Sequence, residues 1–180
     1  MVNIILSILL FTCTVVSFGQ SKLKRDSLEI WTTFSIGDLI NENAHQIASR
    51  DWPFTTVSKA GDTFDNDLMD SVERHNSRIW NHLDSIGYKN AKHDYYKAFK
   101  AERSRIKKAI ALSELNPEVL KLHKKLYSQK RMNSTVLNKL NDFEYEFIIS
   151  SFSVSELEAP PTLELKYISD LRNNKVRIVK

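Results

Sequence analysis

The spacing of apolar residues changes along the chain, and each change predicts an element. Leu28 to Phe34 (LEIWTTF) is rich in β-branched and aromatic residues with Leu28, Ile30, Thr32 and Phe34 on one side, which predicts a strand. Ser35 to Asp38 predicts a turn. Leu39, Ile40, Ala44, Ile47 and Ala48 then follow helical spacing through Arg50; one helix from Ser27 to Arg50 is the competing reading. Pro53 removes a backbone donor and disfavours helix at Trp52, so a second strand is expected over Phe54 to Lys59. Strand, helix and strand in this order make a parallel unit if the two strands share a sheet.

The longest block runs from Asp65 to Ala111 and predicts two helices meeting at Gly87. Asp62, Thr63 and Asp65 can cap the first, and Asp65, Asp67 and Asp70 put negative charge near its positive end. Leu68, Val72, Ile79, Leu83 and Ile86 define its apolar face, interrupted by His75 or Asn76 where an apolar residue would fit. Gly87 suits a left-handed C-terminal cap. The second helix starts at Asn90, with Ala91, Tyr95, Ala98, Phe99, Glu102, Ile106 and Ala109 near one side and lysines and arginines over the others. Asn116 followed by Pro117 starts a third helix carrying Val119, Leu120, Leu122, His123, Leu126 and Tyr127, ending near Gln129.

Past Asn141 the period becomes two. Phe143, Tyr145, Phe147 and Ile149 alternate with Glu144, Glu146 and Ile148, the pattern of a strand with one buried face. After Pro160-Pro161, alternation at Leu163, Leu165 and Tyr167, a turn at Asn173-Asn174 and the run Val176 to Val179 predict a β-hairpin. The fold class expected is α+β, with three central helices packed on a mixed sheet of early and C-terminal strands.

Residues 1–20 carry no charge and are mostly apolar from Ile4 to Phe18, too short to span a bilayer comfortably, and Ser17-Phe18-Gly19 offers a small-x-small cleavage pattern. They read as a signal peptide, cleaved after Gly19 or Gln20, which leaves one α+β domain over 21–180 and no membrane span. Cys13, the sole cysteine, lies in that leader. Disulfides, cysteine-ligated zinc and cysteine nucleophiles are thereby excluded from the mature chain. Four Gly, four Pro and no repeat or low-complexity tract argue against subdivision. The net charge of +4 is uneven: Lys97 to Arg131 holds eleven Lys or Arg against three Glu, a local excess of eight. That face fits an envelope protein or a polyanionic surface as partner, whereas export disfavours nucleic acid; a solvated basic face is the plainer reading.

Specific chemistry is sparse. The first turn of the early unit has one glycine and no dinucleotide fingerprint, and no Gly-x-Ser-x-Gly elbow is present. Asp62, Asp65, Asp67 and Asp70 lack the glycine and third oxygen ligand of a calcium loop, so helix capping accounts for them. His75 and His82 share a helix face but stand about 10 Å apart along its axis, too far to chelate one ion. No metal or cofactor is implied. A ligand site near Asp62, His75, Arg78 and His82, around the polar gap, is the candidate.

Ala48, Trp52, Ala60-Gly61, Asp70-Ser71-Val72-Glu73, His75-Asn76 and Gly87, with the leader ending Ser17-Phe18-Gly19-Gln20, resemble small exported Bacteroidota proteins that carry a FEKKY domain. The resemblance covers Trp52 to Phe99. His82-Leu83-Asp84-Ser85-Ile86 stands where that family has Phe-Glu-Lys-Lys-Tyr, and Asp62 where it has cysteine. The resemblance implies export and no particular activity. A periplasmic or surface binding module is the functional expectation; a small exported hydrolase using carboxylates or His in the same region is the alternative.

Overall fold

The structure, a computed structural model, describes residues 28–34, 38–59, 65–153 and 160–179. The leader with Cys13, the proposed caps Asp62 and Thr63, and the turn at 35–37 lie outside the described residues.

The early unit forms as its spacing dictates. β1 (Glu29–Thr32) pairs in parallel with β2 (Thr55–Ser58), Glu29 opposite Thr55 and Thr32 opposite Ser58, and α1 (Leu39–Ala48) connects them. Asp38 caps α1 by accepting from the Asn41 backbone N–H at 3.0 Å. The helix stops at Ala48, two residues short of Arg50, with Ser49 as its cap. Buried Ile30 and Phe54 anchor the two strands.

α2 (Asn66–Ser85) begins where Asp65 accepts from the Leu68 N–H at 2.6 Å. Gly87, at φ +105°, ends it in the left-handed form: the Tyr88 N–H reaches the Leu83 carbonyl at 3.0 Å and the Gly87 N–H the Asp84 carbonyl at 3.4 Å, satisfying two carbonyls of the last turn. The Asp84 carboxylate then accepts from the Ala91 N–H at 3.1 Å, so the last turn of α2 caps α3 (Ala91–Ser113). α4 (Pro117–Ser128) starts at Asn116, whose side chain accepts from the Glu118 and Val119 N–H groups.

β3 (Met132–Lys139), β4 (Glu144–Phe152), β5 (Thr162–Asp170) and β6 (Lys175–Val179) make an antiparallel sheet in that order. The fold is α+β, but its strands form two sheets rather than one mixed sheet. On the β1 side the reason is local: β1 pairs with β2 on one edge, and its outer edge is taken by Asn76 and His75 of α2, leaving no ladder there for a C-terminal strand. β4 alternates strictly, burying Tyr145, Phe147, Ile149 and Ser151. Its register with β5 slips between Ile149 and Ser150, which pair with Leu165 and Leu163. Glu164 is therefore the extra residue of a bulge. Its carboxylate accepts from Ser151 Oγ at 2.7 Å and from Lys125 of α4 at 2.9 Å, tying helix to sheet.

Two cores result. One gathers α1, α3, α4 and the four-stranded sheet around Ile106, Leu126, Tyr145 and Phe147; the other gathers Ile30, Phe54, Trp80, Leu83 and Tyr95 between the parallel pair, α2 and α3. Phe99 packs against both.

Candidate functional site

The polar gap in α2 has a structural purpose. Asn76, buried, accepts from the Trp31 N–H at 2.8 Å and donates to the Trp31 carbonyl at 2.7 Å. His75 donates from Nε2 to the Glu29 carbonyl at 2.8 Å and stacks on the Trp31 ring, 3.8 Å between centroids and 7° from parallel. The Lys59 amine stands over the same indole, 4.6 Å from its centroid. Both polar side chains thus supply partners that a further strand would have given to β1.

Of the four residues expected to form a site, His75 is engaged with β1, while Arg78 and His82 lie on the exposed side of α2 and Asp62 falls outside the described residues. Arg78 borders a shallow groove of about 350 Å³ with Asp70, Glu73, Arg74 and Ser77; His75 and His82 do not line it. Among the described residues no three His, Asp or Glu side chains are grouped to hold a metal ion.

The larger concavity lies on the other side of the gap. A cleft of about 490 Å³ opens at the C-terminal end of β1, between α1, α2 and α3. Trp31 to Phe34 form one wall, Asn41 and His45 come from α1, Val72, Asn76 and Trp80 from α2, and Tyr96 and Phe99 from α3; Asp70, Glu73 and Lys92 stand at the exposed rim. Helical spacing explains the convergence, because Asn76 and Trp80 are one turn apart, as are Asp70 and Glu73, and Tyr96 and Phe99.

His45 is the chemically unusual member. Its ring is buried, lies 3.9 Å from the Phe99 ring and 5.5 Å from that of Phe34, and its Nδ1 is hydrogen-bonded to the Tyr95 hydroxyl at 2.7 Å. Burial lowers its pKa from 6.5 to about 4, so the imidazole is neutral at pH 7. Burial also pushes the hydroxyls of Tyr95 and Tyr96 above the usual phenol range, with the neighbouring Tyr96 adding to the effect on Tyr95. The floor of the cleft is therefore uncharged, with Trp80, Tyr96 and Phe99 set among the polar side chains of Thr32, Asn41 and Asn76. Charge is confined to its rim.

A second polar cluster, away from the cleft, joins α3 to the sheet. Buried Glu102 takes Lys139 at 2.8 Å, Tyr145 Oη at 2.9 Å and Arg105. Burial alone would raise the Glu102 pKa, but donation from Lys139, Tyr145 and Arg105 outweighs it and holds the carboxyl below the ordinary range. Every member faces another member, and none lines the cleft. Its part is to fix α3.

His45, Trp80 and the cleft were not singled out from sequence. A lone histidine on an amphipathic helix carries no spacing signal, and Trp80 lies beside Ile79 at a position the apolar stripe skips. Comparison with family models, curated proteins and solved structures gives no match to this chain.

Proposed function

We propose that the protein is an exported binding module that takes a small ligand in the cleft at the end of β1. The observation that carries this reading is the concavity of about 490 Å³ with an uncharged floor of mixed aromatic and polar side chains and a charged rim. A flat ring face fits against Tyr96, Phe99 and Trp80, and the rim carboxylates Asp70 and Glu73 suit a ligand edge bearing amine or hydroxyl donors. Export rests on the uncharged apolar leader and its small-x-small ending. Binding is preferred to hydrolysis because His45, with a pKa of about 4, is a weak general base at neutral pH.

Trp31 and Trp80 both line the cleft, so indole emission reports its occupancy. In a titration with aromatic amines and neutral monosaccharides, a ligand in this class should shift that emission. Tyr96→Ala should weaken its binding by about tenfold or more, from loss of a stacking face. Arg78→Ala and His82→Ala should leave binding unchanged. The opposite pattern, with Arg78 and His82 required and Tyr96 dispensable, would return the site to the exposed side of α2.

A further inference from the structure

We propose that the outward face of α3 and α4 docks on a membrane surface rich in anionic lipid headgroups. The face is independent of the cleft and of whatever ligand the cleft takes. α3 turns Tyr95, Glu102, Ile106 and Ala109 inward, and at about 100° per residue this puts Lys97, Lys100, Lys107 and Lys108 on its outer half, over about 17 Å of helix. α4 buries Val119, Leu122 and Leu126, which turns Lys121 and Lys124 outward. All six lysines are exposed, and no ion pair engages any of them among the described residues. Both helices cover the same side of the four-stranded sheet, α3 over β5 and β6 and α4 over β3 and β5, so their outer sides form the face opposite that sheet.

Three observations favour a lipid surface over a soluble acidic partner. First, none of the six lysines lines the cleft or the α2 groove, so the charge faces outward rather than into a pocket fitted to a discrete anion. Second, these charges are lysine ammonium groups, mobile point charges suited to diffuse attraction, where recognition of individual carboxylates or phosphates favours the arginine fork. Third, large apolar side chains stand out from this face: Leu115, in the turn between the helices, is 77% exposed, Tyr127 on α4 is 88% exposed, and Leu120, two turns before it on the same helix, is 43% exposed. Lysine beside projecting Leu120 and Tyr127 is the chemistry of attachment at the headgroup level, and Leu115 adds an apolar contact between Glu114 and Glu118. No helix among the described residues is long and apolar enough to cross a membrane, so the attachment is peripheral.

Vesicle co-sedimentation of the purified protein tests this. Phosphatidylcholine vesicles with about one third phosphatidylglycerol should bind the protein at about 0.05 M salt and release it at about 0.5 M, and pure phosphatidylcholine should not bind it. Each lysine changed to Gln on this face should weaken partitioning about fivefold, compounding in the variant K97Q/K100Q/K107Q/K108Q. The pair Lys175→Gln with Arg177→Gln on β6 removes as much charge as K97Q/K100Q and should have little effect. Leu115→Ser with Tyr127→Ser should weaken vesicle binding while leaving binding to heparin or duplex DNA unchanged. Equal binding to neutral vesicles, equal loss from the β6 pair, or indifference of vesicle binding to Leu115 and Tyr127 would each overturn the assignment, the last in favour of a soluble polyanion.

Discussion

Asn76 of α2 and Trp31 of β1 are joined by two hydrogen bonds, 2.8 Å and 2.7 Å, in which a side-chain amide engages both backbone polar groups of one residue. The amide takes the place of a neighbouring strand, and β1 needs none on that edge. Asn76→Ala should therefore leave a buried N–H and C=O without partners and cost about 2–4 kcal/mol, seen as a lower urea midpoint. Asn76→Asp should not restore the loss, because a carboxylate cannot donate to the Trp31 carbonyl.

His45 should make stability depend on pH in a defined window. Its folded pKa of about 4 lies below the ordinary 6.5, so between those values the unfolded chain holds the proton more tightly. The contribution is complete above about pH 6.5 and declines as pH falls towards 4, by about 3 kcal/mol in total. Unfolding midpoints of His45→Phe across this range should slope less steeply than those of the parent. A parallel pair of curves would show that His45 is not the group responsible.

Glu102 carries the same sign as His45, because its folded pKa is also lowered, but through its ion pairs and hydrogen bonds rather than burial. Its folded carboxyl titrates below the ordinary range, so its contribution is present above the unfolded value and is lost as pH falls through the folded one. Glu102→Leu should cost about 1–3 kcal/mol by leaving the buried Tyr145 hydroxyl without its acceptor and Lys139 with only the exposed Asp142, at 3.1 Å. Adding Lys139→Met should recover part of that loss, and the double-mutant cycle measures the coupling.

Gly87 isolates a backbone effect. A Cβ there meets nothing within 4 Å, yet φ is +105°, where side chains are strained. Gly87→Ala should cost about 1–2 kcal/mol with no change in ligand binding in the cleft. A cost near zero would mean that the α2–α3 turn adapts by moving.

Much of the fold could be read from residue spacing because its signals are local. Asn116-Pro117, Gly87 and the period of two in β4 each belong to one element, and each sits where expected. β3 gave no such signal: in Met132–Lys139 only Leu137 is buried, and the strand is defined by its pairing with β4. The apolar face of α2 was read slightly out of phase. Ile86 is 41% exposed, and the buried line runs through Val72, Asn76, Trp80 and Leu83, because an amide rather than an apolar side chain faces β1. The cleft depends on three helices and a strand end meeting, and pairings between distant segments leave no periodicity. His75 drew attention for its chemistry, but it serves the strand edge; His45, which carries the unusual environment, looked ordinary.

Phe99 packs against both cores, and its own helix also supplies Tyr95 to one and Ile106 to the other. A two-stranded sheet has little independent stability, so the parallel pair depends on this shared helix. Its slow-exchanging amides should open together with those of α3 in hydrogen exchange, as one cooperative unit. The cleft, built at that junction, would then be lost only when α3 itself opens.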